Sequence, residues 1–88
     1  MENYSIYYIS MTKRLNKLHK GEKGIISLIE DNGPFNRRIR AMGIMPGSEV
    51  IVKEIAPLGD PINIIVKGLS IALRNKEAQK IIVQGTFC

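Results

Sequence analysis

Residues 34–47 run Pro-Phe-Asn-Arg-Arg-Ile-Arg-Ala-Met-Gly-Ile-Met-Pro-Gly, and they contain the one strong helix signal of the chain. Proline suits the first position of a helix, because its missing N–H has no intrahelical partner at that position. Phe35, Ile39 and Met42 are spaced i, i+4, i+7, so they share one face, which we expect to pack against a sheet. The stretch therefore predicts a helix over residues 34–42.

The end of this helix is marked as clearly as its start. Gly43 can adopt the left-handed conformation that closes a helix, and the apolar Ile44 just after it can fold back onto the last turn. Pro46 and Gly47 then favour a turn, so the chain changes direction before the next apolar segment.

Outward from the helix, short apolar segments rich in β-branched residues predict about five strands. Glycine turns separate them, and Leu58 lies at the tip of a hairpin loop over residues 56–61. We also expect Asn75 to cap a single helical turn over residues 76–78. The predicted strands cover residues 25–29, 49–55, 61–67, 71–74 and 81–83.

Strands this short bury one core best when the sheet curls on itself, which removes most of its edges. The fold class predicted is mostly β: a small SH3-like barrel of about five strands, with one short helix between the first and second strands. An OB-type topology is the alternative.

The length of 88 residues allows one domain. We assign residues 13–88 to it and treat residues 1–12 as an N-terminal extension. That extension holds Tyr4, Tyr7 and Tyr8 and is interpreted as an added edge strand, a flexible tail or a contact between copies of a homo-oligomer. No secretory signal or bilayer-length apolar stretch occurs, so we expect a cytoplasmic protein without membrane insertion.

The side chains do not favour catalysis or a cofactor. His19 is the only histidine and Cys88 the only cysteine, so no motif of metal-ligand spacing and no nucleophile with an adjacent base can be assembled. No phosphate-binding glycine loop is present. We therefore predict no catalytic residues, no metal site and no cofactor. A metal carrier would need His19 or Cys88 to converge across a symmetric dimer.

The net charge of +5 raises the alternative of nucleic-acid binding. A single-strand-binding surface also needs exposed aromatic side chains for stacking, and Phe35 is expected in the core, so this function is not favoured. Arg37 and Arg40 point away from the buried helix face, with Arg38 at its margin, and guanidinium groups suit acidic protein partners. Arg37, Arg40 and Leu58 are the predicted partner-binding residues; a solvated helix face and a plain hairpin tip are the structural alternatives.

Four short motifs in register resemble one family. They are Gly21-Glu22-Lys23-Gly24, the run from Arg38 to Gly47, Gly59-Asp60-Pro61 and Ala72-Leu73-Arg74, and together they resemble the FeoA family of bacterial ferrous iron transport. The similarity covers residues 12–83. It implies an SH3-like barrel related to the C-terminal domain of iron-dependent repressors. Arg38 and Arg74 match family positions and fit the role of ion-pair partners in the fold.

The resemblance also implies a role in iron homeostasis beside FeoB, the membrane transporter with a cytosolic GTP-binding domain. We therefore expect a non-enzymatic cytoplasmic protein that binds the cytosolic part of FeoB by protein–protein interaction and modulates or assembles the transporter. The alternatives are a nucleic-acid-binding barrel and a metal-responsive regulatory module like the repressor domain. Such a module would normally adjoin a DNA-binding helix-turn-helix, for which this chain is too short.

Overall fold

The computed structural model describes residues 11–85, which form six strands, two α-helices and a 3-10 turn. The strands are β1 (Met11–Arg14), β2 (Lys23–Ile29), β3 (Glu49–Ile55), β4 (Ile62–Val66), β5 (Leu69–Leu73) and β6 (Ile81–Gly85). The helices are α1 (Pro34–Ala41) and α2 (Asn75–Ala78), and the 3-10 turn is Leu15–Lys17. None of the described helices is long and apolar enough to cross a membrane.

The strands form one antiparallel sheet in the order β1-β6-β2-β3-β4-β5. Register shifts in β2 between Ile26 and Leu28, and in β3 between Val52 and Glu54, mark bulges. Bulges increase the local twist of a strand, so the sheet can curl around one core. The predicted SH3-like barrel is thereby confirmed, although β1 and β5 remain unpaired edges in the hydrogen-bond pattern of the described residues.

The core lies on the concave side of the sheet and is entirely aliphatic. Alternation in β4 puts every second residue inside, as its burial pattern shows. Phe35 and Ile55 pack against the core from its border. The buried members are Leu15, Leu18, Ile26, Ile29, Ile39, Ile44, Val50, Val52, Ile62, Ile64, Val66, Ile71, Leu73, Ala78, Ile81 and Val83.

The edge strand β1 is not one of the five predicted strands, although an added edge strand was one interpretation of residues 1–12. Its sequence Met-Thr-Lys-Arg lacks a buried apolar position, and the strand is held by pairing with β6, with Met11 opposite Gly85 and Arg14 opposite Ile82. It crosses the predicted boundary between residues 12 and 13. The tyrosines of the predicted extension and Cys88 lie outside the described residues.

Two details of the helices differ from the sequence prediction. The helix α1 ends at Ala41, and Met42, predicted to be buried, is 38% exposed, because Ile44 returns to the core in its place. At α2, Arg74 and not Asn75 occupies the N-cap position. Asn75 is instead the first helical residue, and its backbone N–H donates to Asp60 Oδ1 at 2.9 Å.

Candidate partner-binding surface

The end of α1 is fixed by a Schellman motif. Gly43 N–H donates to the Arg40 carbonyl at 2.9 Å, and Ile44 N–H donates to the Ile39 carbonyl at 3.1 Å. Gly43 has φ +93°, a conformation that glycine adopts at little cost. Ile39 and Ile44 are both fully buried, so they anchor the C-terminal end of α1 to the core and orient its outer face.

That outer face presents the arginines of α1. Arg37 and Arg40 are exposed, as predicted, and the Arg40 Nε donates to Asn36 Oδ1 at 2.7 Å. This hydrogen bond satisfies Asn36, which is only 8% exposed, and steadies Arg40 on the surface. No acidic residue occurs in α1, so the face is uniformly basic.

The third predicted site residue, Leu58, is 95% exposed at the tip of the loop between β3 and β4. The loop is closed by Gly59 N–H donating to the Ala56 carbonyl at 2.7 Å and by Ala56 N–H donating to the Pro61 carbonyl at 3.1 Å. An apolar side chain in full contact with water contributes nothing to the core, so it is available to a partner.

An open groove of about 490 Å³ lies between α1 and the end of β5; we call it the α1–β5 groove. It brings together parts of the chain that are far apart in sequence: the end of α1, the base of the Leu58 loop, the end of β5 and α2. Its lining residues are Arg38, Met42, Pro61, Ala72, Leu73, Arg74 and Glu77. The groove thus connects the helix that presents Arg37 and Arg40 with the loop that presents Leu58.

An ion pair spans this groove. The Arg38 Nη2 donates to Glu77 Oε2 at 2.6 Å, and the Arg74 backbone N–H donates to Glu77 Oε1 at 2.8 Å. Burial disfavours the charged carboxylate, but these two hydrogen bonds and the nearby guanidinium charges outweigh it, so the pKa of Glu77 is lowered. Glu77 is therefore a fixed carboxylate that joins α1 to α2.

Arg38 and Arg74, which match family positions, differ in their surroundings. Arg38 is an ion-pair partner within the fold, and its guanidinium also lies 5.6 Å from the centre of the Phe35 ring. Arg74 is exposed and has no ion-pair partner among residues 11–85. The charge of Arg74 acts on Glu77, but its guanidinium forms no ion pair within residues 11–85, so its donors can reach an external anion.

A second open groove, of about 550 Å³, lies near the turns at Gly47 and Gly68. Its floor contains the cross-strand pair Ile51 and Ile65, and its rim holds one charge of each sign, Glu49 and Lys67. Its charges favour neither sign of partner.

The described residues contain no group of three or more His, Cys, Asp or Glu side chains that could hold a metal ion. His19 is exposed, and its Nδ1 lies 3.4 Å from Glu22 Oε1. Met42, Pro61 and Glu77 of the α1–β5 groove were not predicted as site residues, because only the fold brings them together.

Basic residues outside α1 are partly neutralised. Arg14 Nη1 lies 2.6 Å from Glu30 Oε1, Lys20 Nζ lies 3.0 Å from Glu54 Oε1, and Lys80 Nζ lies 2.9 Å from Asp31 Oδ2. These pairs offset part of the positive charge outside α1 that could contact a phosphate backbone.

Comparison with known proteins places the chain in a family. The family model of the FeoA domain matches residues 13–85. The Fe(2+) transport protein A/Fe(2+) transporter FeoB fusion protein of Porphyromonas gingivalis is 37% identical over 71 residues, which are 81% of this chain and 8% of that protein. The chain thus spans less than a tenth of the length of this relative.

Solved structures show the same relationship. The NMR structure of a FeoA-like protein from Clostridium acetobutylicum is 32% identical and superposes with a TM-score of 0.78, covering 88% of this chain and 90% of that one. The FeoA of Stenotrophomonas maltophilia, described as a procaryotic SH3 domain protein and crystallised with zinc, is 30% identical with a TM-score of 0.71, covering 83% of this chain and 88% of that one.

The resemblance to repressor domains holds for the fold. A manganese-dependent transcriptional repressor superposes with a TM-score of 0.78 at 23% identity, over 84% of this chain and 36% of the repressor. The FeoA-domain match, in contrast, runs from the second half of β1 to the end of β6 and includes both the α1 and β5 motifs that line the groove. The chain belongs to the FeoA family of ferrous iron transport.

Proposed function

We propose that this chain is a non-enzymatic, cytoplasmic accessory protein of ferrous iron uptake that binds the cytosolic part of a FeoB-type transporter. The observation that carries the proposal is the relative in which a FeoA domain and FeoB form one polypeptide. Two functions joined covalently in one organism act at the same place. The covalent link in that relative supports binding of this chain to a FeoB-type partner.

The surface proposed for this contact consists of Arg37, Arg40 and Leu58. Arg37 and Arg40 present positive charge from the outer face of α1, and Leu58 presents an apolar anchor that is 95% exposed. Charged groups at the rim of an interface steer association, whereas a desolvated apolar anchor slows dissociation. Binding modulates the transporter only if this chain prefers one of its states, and otherwise it assists assembly.

The test is isothermal titration calorimetry with the cytosolic part of FeoB from the same organism, with and without a non-hydrolysable GTP analogue. Binding that depends on the nucleotide supports a regulator of the GTP cycle, and binding that does not supports an assembly factor. Absence of binding under both conditions contradicts the proposal.

Charge-reversal variants locate the surface. The double variant Arg37→Glu/Arg40→Glu should weaken binding by about tenfold or more, since it removes positive charge from one face and introduces repulsion. The matched control is Lys23→Glu/Lys53→Glu, which makes the same change in net charge at exposed positions on β2 and β3. Equal weakening by both pairs would mean that net charge, and not the α1 face, determines the affinity.

A further variant separates docking from folding. Leu58→Ser should weaken binding while the free energy of unfolding changes by less than about 0.5 kcal/mol, because the side chain has no buried surface to lose. Unchanged affinity in the folded Leu58→Ser protein would remove the loop tip from the contact surface.

A further inference from the structure

The charges around the α1–β5 groove are predominantly positive. Arg37, Arg38 and Arg40 lie on α1, and Arg74 follows β5. The carboxylate in the groove lining is that of Glu77, and Asp60 lies in the adjoining loop beside Pro61. Glu77 accepts from Arg38 at 2.6 Å, and Asp60 Oδ1 accepts the Asn75 N–H at 2.9 Å. The groove lining itself holds two guanidinium groups, of Arg38 and Arg74, against the one carboxylate of Glu77, which leaves one positive charge unneutralised.

The available donors are concentrated on Arg74 and Arg38. Arg74 has no ion-pair partner among the described residues, and Arg38 uses one terminal nitrogen on Glu77. A guanidinium group holds its donors in a planar fork that matches the two oxygens of a carboxylate. Both arginines line the same groove, so one carboxylate can approach both.

The floor between these charges is apolar. Met42, 38% exposed, contributes a flexible thioether from α1, and Pro61 and Ala72 extend the apolar surface across the groove. Methionine adapts its shape to different apolar side chains. An exposed apolar floor beside free guanidinium groups fits a ligand with an apolar side chain and a carboxylate next to it.

We propose that the α1–β5 groove binds an acidic segment of a partner protein, in which a carboxylate of Asp or Glu contacts Arg74 and Arg38 and a neighbouring apolar side chain packs on Met42, Pro61 and Ala72. The inference names the chemistry of the partner segment, and it rests on the proposed function only for the identity of that partner. It also predicts that affinity falls with rising salt concentration, since part of it is electrostatic.

A protein segment fits this groove better than a nucleic acid. A phosphate backbone has no apolar side chain to pack on the floor formed by Met42, Pro61 and Ala72. Phe35, the aromatic residue of residues 11–85, packs against the core, so it offers no stacking platform for a base.

The first test needs no transporter. An end-blocked heptapeptide with three glutamates alternating with two leucines and flanked by serines is titrated into the ¹⁵N- and ¹³C-labelled protein and followed by NMR. Saturable shifts are expected at the Met42 and Ala72 methyl groups and at the Arg74 side chain. The same peptide with glutamine for glutamate should bind about tenfold more weakly, since hydrogen bonds to a charged group are stronger.

Two variants make the test specific. Arg74→Met keeps the length of the side chain and removes its charge, so the acidic peptide should lose about tenfold in affinity. Lys53→Met, a matched loss of one positive charge at an exposed position on β3, should leave the affinity within about twofold. Shifts outside the groove, equal binding of the glutamine peptide, or displacement of the peptide by a single-stranded oligonucleotide would overturn the proposal.

Repeating the calorimetry with FeoB separates this inference from the proposed function. If the transporter binds the wild type and binds Arg74→Met and Met42→Ser equally well, the groove inference fails and the proposed function stands. If the transporter does not bind but the acidic peptide binds in the groove, the proposed function fails and the groove inference stands. If the transporter binds and both variants weaken it, both are supported.

Discussion

Replacing Gly43 by alanine is the sharpest test of how α1 is positioned. Gly43 has φ +93°, and an alanine held there carries a backbone cost of about 1–2 kcal/mol. A Cβ added at this position would meet only Lys67 Cδ, at 3.8 Å, which is an ordinary contact. The cost therefore comes from the backbone alone, and no steric clash adds to it.

The expected result is a fall of about 1–2 kcal/mol in the free energy of unfolding, which corresponds to roughly 4–8 °C in Tm per kcal/mol for a domain of this size. The assay is urea unfolding followed by far-UV circular dichroism, with an unchanged dependence on urea concentration as evidence that the same surface is exposed. Gly43→Asn is the matched variant, and it should cost less, because asparagine tolerates the left-handed region better than alanine does.

If Gly43→Ala unfolds with wild-type stability, or if Gly43→Asn costs more than Gly43→Ala, then the left-handed conformation at Gly43 does not close the helix. The Schellman hydrogen bonds to the Arg40 and Ile39 carbonyls would then not be the constraint that orients α1.

Three other changes test the fold and the groove. Ile39→Ala should lower the free energy of unfolding by about 2–5 kcal/mol in urea titrations, because Ile39 is fully buried and truncation leaves a cavity. Asp60→Ala should cost about 0.5–1 kcal/mol by the same measurement, because it removes the acceptor of the Asn75 N–H. The pKa of Glu77 is lowered from its ordinary value of 4.5, so its contribution to stability is present above that value and is lost as the pH falls through the lowered pKa. Between about pH 6 and 3 the free energy of unfolding should therefore decline less for Glu77→Gln than for the wild type. An equal decline in both proteins would contradict this assignment.

The parts of the fold that could be predicted are those specified by local chemistry. Pro34 begins α1 and Gly43 follows its end because a proline ring and a missing Cβ act on the residue that carries them. The strand β3 has the predicted bounds, since its apolar residues are dense enough to form a strand signal without help from neighbours. Local signals of this kind do not depend on how the chain is folded elsewhere.

The parts that could not be predicted depend on distant partners. Thr12 and Lys13 show no strand pattern, and β1 exists because β6, about seventy residues later, offers it a hydrogen-bonding edge. Met42 continues the apolar spacing of α1, but the chain leaves the helix after Ala41, and Ile44 fills the core position. Periodicity identifies the face of a helix and cannot tell which of two nearby apolar residues the core will accommodate.

In the candidate site, the exposure of single residues could be predicted, whereas the groove they border could not. Arg37, Arg40 and Leu58 were predicted as exposed because exposure follows from helix spacing and from a loop tip, and all three are exposed. The groove between them was not predicted, because four separate segments form it. Yet three of the motifs that carry the family resemblance contribute Arg38, Pro61 and Arg74 to it.

Because three family motifs line the α1–β5 groove, its shape should depend on the turns next to them. Gly43 ends α1 and Gly59 lies in the Leu58 loop, and both adjoin segments that line the groove, so these turns help to determine where its walls lie. Loosening a turn, as in Gly43→Ala, should therefore reduce stability and peptide affinity together, since Met42 and Arg38 lose their fixed position. Arg74→Met changes no turn and should reduce affinity alone. Measuring the free energy of unfolding and the peptide affinity for both variants distinguishes a preorganised groove from a set of independent charges. If Gly43→Ala lowers stability and leaves the affinity for the acidic peptide unchanged, the groove does not depend on the end of α1.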